Sequence, residues 1–237
     1  MDNFTTTYGN TAANALPAER AAFMRKTYLL LAAAILGFIV VESFLFVSGA
    51  AGLIAGVVFG GGAIGWLLVL GLFMVVSYIA RNWATSETSV PTQYLGLAVA
   101  VVAEAVIFVP LITIAALRSD DPGTLLLKAG TVTIGLFLGI TATVFITRSD
   151  FSFLAPILTI GGFAALGFIV ASALFGFSIG NVFAFIMVAF AGTAILYETS
   201  NVLHRFNTNQ HVAASLTLFA SIALLFWYIL SIFSSRR

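Results

Sequence analysis

Three carboxylates stand inside stretches that are otherwise almost free of charge: Glu104 in Val101–Val106, Glu198 in Tyr197-Glu198-Thr199-Ser200-Asn201, and Glu42 in Val40-Val41-Glu42-Ser43. A charge at the centre of a bilayer costs about 2.5–3.5 kcal/mol on insertion scales, so such groups face a bundle interior or water and mark function. Glu104 is close to the middle of its apolar run, and Pro110 follows six residues later. Pro110 removes one backbone hydrogen bond and is expected to kink the helix that carries it. Glu104 reads either as a proton- or cation-binding carboxylate beside a flexible helix, or as a protonated group that glues neighbouring helices. Glu198 is followed by His204 and Arg205. That segment is either a titrating cluster, because histidine changes charge near neutrality, or a solvated polar helix end. Glu42 reads as a carboxylate reaching the headgroups or closing one end of the bundle.

Other chemistry is weakly represented. His204 and His211 have only Glu198 as a nearby acid and the chain has no cysteine, so no metal site has adequate spacing. Gly60-Gly61-Gly62 is not followed by Lys-Ser/Thr and is no phosphate loop. HExxH does not occur. No catalytic residue and no cofactor is expected, and the protein reads as a non-enzyme. Gly161, Gly162, Gly167, Ala171 and Ser172 suit close helix contact, while Trp66, Trp83 and Trp227 are expected at membrane interfaces.

The elements that must hold these groups follow from composition. Of 237 residues, 61% are hydrophobic and 8% charged, with mean hydropathy +1.11. Soluble domains carry about 25% charged residues, so a water-faced globule is excluded. A net charge of +1 gives no reason to expect nucleic acid as a partner. Membrane lipid is the expected surrounding.

Apolar runs near residues 27–46, 61–80, 93–117, 125–147, 153–175, 181–200 and 212–233 predict seven transmembrane helices. About 20 residues at 1.5 Å each cross a hydrocarbon core of about 30 Å. In lipid a span must satisfy its own backbone, and the runs lack barrel-strand alternation. Residues 48–60, apolar and glycine-rich, read as an interfacial loop or an early start of the second helix. Residues 1–20 read as a flexible tail rather than a secretory signal, and 21–237 as one transmembrane domain without an evident internal repeat.

With the N-terminus cytoplasmic, Arg20, Arg25, Lys26, Arg81, Arg148 and Arg205 lie inside, and Arg118, Lys128, Arg236 and Arg237 outside. The bias follows the positive-inside rule, though the terminal arginine pair opposes it and keeps an even span count open.

Two motifs resemble a known family. Arg148-Ser149-Asp150-Phe151-Ser152-Phe153-Leu154 resembles one signature of the Bax inhibitor-1 family, and Ile195–His204, containing Tyr197, Glu198, Thr199 and Ser200, resembles its second. Glu104 with Pro110 is similar to a looser third, and Phe23–Tyr28 also fits. The resemblance covers residues from about 20 to 233. It implies an all-α bundle of seven membrane helices with the last surrounded by the other six.

One branch of the family comprises proton-sensitive calcium leak channels gated by an acidic pair from the last two helices. The first acid matches Glu198, but Ser221 stands where the second falls. The other branch comprises bacterial inner-membrane modulators of the membrane-anchored FtsH protease, which this chain resembles more closely: Glu at 198, Thr199-Ser200-Asn201 after it, Thr208-Asn209 in the loop, and Ser221. The expectation is therefore a multi-pass inner-membrane modulator of that protease, with a calcium leak channel as the alternative. Glu198, Glu104, Ser221 and His204 are the ion- or proton-sensing candidates.

Overall fold

The computed structural model describes residues 11–86, 89–177 and 180–235. Among these the chain is built from α-helices: α1 (Pro17–Val47), α2 (Ala50–Gly60), α3 (Gly62–Ala84), α4 (Val90–Arg118), α5 (Pro122–Thr147), α6 (Ala155–Phe175), α7 (Asn181–His204) and α8 (His211–Ser234). Seven of these helices, α2 excepted, are long and apolar enough to cross a membrane. The protein is a polytopic all-α membrane protein.

Local chemistry sets several boundaries. The Ser89 hydroxyl accepts a hydrogen bond from the Thr92 backbone N–H at the start of α4, and Asp121 does the same for Thr124 at the start of α5. Both caps satisfy N–H groups that a helix start leaves unpaired. Proline occupies the first turn of α1, α4 and α5, where its missing N–H costs nothing. The segment 48–60 resolves into a helix of its own. With 11 residues, α2 is about 16 Å long, half a hydrocarbon core. It is set off from its neighbours by Gly49 (φ 79°) and Gly62 (φ 55°), and Ala51 and Ala55 pack on Val109 of α4. Pro110 lies inside a helix that continues to Arg118.

The core is organised around α8, which packs against α7, α4, α1, α5 and α3. This confirms the expected arrangement in outline, but α6 leans mainly on α3 and α7 and has no buried residue. Small side chains explain the choice of α8. Ala213, Ala214, Ser215, Ser221 and Ala223 are buried along it, and small residues let helices approach closely where lipid supplies no hydrophobic drive between them. The Ser215 hydroxyl donates across the α1–α8 interface to the Thr27 carbonyl at 2.8 Å.

Part of the expected tail belongs to the body. Thr11 pairs with Asn207, the Ala12 N–H donates to the Phe206 carbonyl at 2.9 Å, and Ala12 is fully buried. The Arg20 guanidinium donates to the carbonyls of Ala12 and Ala13 and holds this segment against α1. Residues 1–10 and the arginine pair 236–237, used above for the tail and the orientation, lie outside the described residues. Trp66 and Trp227 stack on each other with ring centroids 6.1 Å apart and are partly buried.

The closest helix approach positions α3. A Cβ added at Gly96 would lie 2.5 Å from the Ala80 carbonyl oxygen and 2.6 Å from the Ala84 nitrogen. Alanine ordinarily favours a helix over glycine by about 1 kcal/mol, but overpacking costs about 1–3 kcal/mol. Gly96→Ala is expected to lower the thermal midpoint of the detergent-solubilised protein; an unchanged or raised midpoint would contradict this packing.

Candidate functional site

Both central acids line internal cavities, and one cation serves both. The first cavity, about 300 Å³, lies between α3, α4 and α8, and its wall includes Ser77, Arg81, Glu104, Phe108 and Trp227. The second, about 320 Å³, includes Arg81, Tyr197, Glu198, Thr217 and Ser221. They share Arg81, Ala220 and Leu224, so they adjoin. The positive charge of Arg81 acts on both Glu104 and Glu198. Arg81 is in the last turn of α3 and is exposed, which leaves the guanidinium in reach of water while its field extends into the bundle.

Glu198 accepts a hydrogen bond from the Asn201 amide at 3.4 Å, and Thr217 of α8 lies beside it in the same cavity, its hydroxyl donating to the Ala214 carbonyl at 3.1 Å. Ser221 shares its cavity but donates its own proton to the Thr217 carbonyl at 3.0 Å. The last two helices therefore bring an acid and a hydroxyl to one cavity without a hydrogen bond between them. Another carboxylate, Glu104 of α4, lines the adjoining cavity.

His204 and Arg205 do not join Glu198. The His204 Nδ1 lies 3.0 Å from the Ser200 carbonyl oxygen, which makes it a donor there. Arg205 is exposed, and its charge acts on Asp150 rather than on Glu198.

The two signature motifs meet through Ser200. Its hydroxyl, 1% exposed, accepts from the Phe151 N–H at 2.9 Å and donates to the Ser149 carbonyl at 3.4 Å. Asp150 accepts from the Ser152 N–H at 2.9 Å and starts the short 3-10 turn Ser152–Leu154 that leads into α6. That hydrogen bond, helped by Arg205 and His204, holds the Asp150 carboxyl below its ordinary range. The bond is complete above that range and is lost only as pH falls through the lowered value. Leu154 is buried beneath the turn, while Phe153 is exposed. Thr199 is fully buried with its hydroxyl unpartnered. This set fastens the α5–α6 loop to α7.

Sequence reasoning missed Arg81 as a site residue. It was counted only as a loop charge, although Tyr78-Ile79-Ala80-Arg81-Asn82-Trp83 places it within an apolar helix. A lone arginine there was the available signal, because an intramembrane cation implies a partner. Among the described residues no group of three or more His, Asp or Glu side chains could hold a metal ion.

A family model described as "Inhibitor of apoptosis-promoting Bax1" matches residues 20–237. An uncharacterized protein of Pseudomonas aeruginosa is 28% identical over 164 residues, which is 68% of each chain. The Bax inhibitor 1 of Schizosaccharomyces pombe is 28% identical over 174 residues, covering 70% of this chain and 61% of the yeast protein, under two thirds of its length.

Removing the Ser200 hydroxyl leaves the Phe151 N–H without its partner, at a cost of about 1–3 kcal/mol. Ser200→Ala is expected to lower the unfolding midpoint and to speed amide hydrogen exchange in Ser149–Leu154. Exchange as slow as in the unmodified protein would show that the loop is held by something else.

Proposed function

The chain belongs to the Bax inhibitor-1 family, and from that premise we propose that it is a non-enzymatic membrane protein that passes cations, calcium among them, in a proton-sensitive manner. The observation that carries this reading is the convergence of Glu104 and Glu198 on adjoining cavities around Arg81. Carboxylates lining a narrow path attract cations, and a fixed cation beside them opposes entry. Protonation of either acid changes the balance with Arg81, so proton and cation compete for the same groups. The family's acidic pair is not reproduced, because Ser221 bonds to its own helix. The second acid in this reading is Glu104.

Ser221 itself favours a second reading. Without an acid there, the chain resembles the branch that modulates a membrane-anchored, ATP-dependent protease of the FtsH type. In that role the bundle would be a binding partner whose N-terminal residues offer a handle to the enzyme. Both readings place the protein in a bacterial inner membrane with a cytoplasmic N-terminus, in keeping with the distribution of Lys and Arg.

Purified protein in calcium-loaded liposomes separates the two, measured at about pH 6 and about pH 8, on either side of the neutral range in which proton sensing operates. The expected outcome is flux above protein-free vesicles that differs between the two pH values. In Glu198→Gln the pH difference is lost, and in Glu104→Gln total flux falls. Flux no greater than in empty vesicles at both pH values would contradict the channel reading. Co-purification of the membrane-anchored protease after mild detergent extraction then decides whether the modulator reading stands.

A further inference from the structure

The largest of the described cavities lies away from Arg81 and contains the third acid. It encloses about 680 Å³ between α1, α4, α5 and α8, within the range of about 300–1,000 Å³ typical of small-molecule sites. Its walls are apolar except for Glu42, Ser43, Thr131 and Thr133, and they include no lysine or arginine. The three hydroxyls spend their protons on their own helices: Ser43 donates to Ile39, Thr131 to Leu127 and Thr133 to Ala129. Glu42 is different. It is 7% exposed, and neither carboxylate oxygen has a hydrogen-bond partner.

Helix geometry gives this cavity a side entrance. Toward the start of α1 and the end of α5 the two helices touch, with Tyr28 and Phe145 ring centroids 6.0 Å apart. Toward the opposite end the cavity lies between them, with α4 and α8 supplying the rest of its wall. Ile39, Leu127 and Ile134 at its rim are exposed, so the opening faces hydrocarbon rather than water.

A buried carboxylate with no partner is costly, and native structures leave few such groups unsatisfied. What this site lacks is a positively charged donor, and what it offers besides Glu42 is apolar volume. We propose that the cavity between α1 and α5 binds an amphiphile with an apolar chain and a primary ammonium head, the ammonium donating to Glu42. The chain lies against Phe38 and Phe226 and leaves through the gap between the two helices. Such a ligand comes either from an ethanolamine-headed membrane lipid or from a free alkylamine. The site includes none of Arg81, Glu104 and Glu198, meets the first Arg81 cavity only at Phe219, and stands whether or not the protein passes cations.

Native mass spectrometry of the intact protein tests this. The probes are phosphatidylethanolamine and phosphatidylcholine of the same acyl chains in equal amounts, and octylamine alone. A charge-assisted hydrogen bond is worth about 1.5–3 kcal/mol, or about tenfold or more in occupancy. The expected result is one phosphatidylethanolamine retained at least about tenfold over phosphatidylcholine, with the preference lost in Glu42→Gln. Gly130→Phe supplies a second variant. Gly130 lines the cavity and has open space where its Cβ would be, so the ring fills the volume while Glu42 stays in place, and binding should also fall. If octylamine binds one to one in the unmodified protein and in neither variant, while the lipids do not discriminate, the proposal holds with a free amine as the source. Equal retention of both lipids together with octylamine binding unchanged in Glu42→Gln overturns it, as does the absence of binding by every probe.

Discussion

Lipid on the outside removes the sorting rule that organises soluble proteins. A leucine gains nothing by leaving hydrocarbon for the interior, so the interior is chosen by what packs closely and by what needs a polar partner. This constraint explains why α8 is central. It combines buried alanines with serines and a threonine that bond along and across helices, as Ser215 does to Thr27. It also explains why large side chains such as Leu68, Phe163 and Ile186 stand exposed on the outer helices. The same constraint makes every acid in a span a question of partners. Glu198 finds Asn201, Glu198 and Glu104 both feel Arg81, and Glu42 finds none.

The two ends of the bundle are built for different tasks. At the end where α5 and α7 finish and α6 and α8 begin, the loops are tied down. Ser200 clamps Phe151, Asp150 caps the turn into α6, and Ala12 pairs with Phe206. Arg81 and Glu198 sit near this end, on α3 and α7. At the other end a cavity lies between α1 and α5, and the short α2 covers α4 without crossing.

Much of the fold was legible because the physics that reveals it is local. Seven apolar runs of bilayer length identify seven helices whatever their partners, although α4 and α5, capped by Ser89 and Asp121, start three residues ahead of the runs read from 93 and 125. The identity of residues 48–60 was not legible. An 11-residue apolar helix and an apolar loop have the same composition, and glycines at both ends decide between them. The fate of residues 11–20 depended on Asn207 and Phe206, nearly 200 positions away. The site was legible as a set of residue types and not as a set of pairs. Spacing along α7 suggested His204 and Arg205 as companions for Glu198, whereas three-dimensional packing supplies Arg81 and Thr217. For Glu42, sequence shows distance from a helix end but not the cavity beside it.

The account depends on Glu104, Glu198 and Arg81 lining water-accessible space inside a lipid-embedded bundle. Because the chain has no cysteine, a single introduced thiol reports on one position without background. In membranes, Ser77→Cys and Ser221→Cys on the two cavity walls should react with a small water-soluble thiol reagent, while Leu68→Cys and Phe163→Cys on the outer surface should not. Reaction at Leu68→Cys and Phe163→Cys with Ser77→Cys and Ser221→Cys left inert would contradict it.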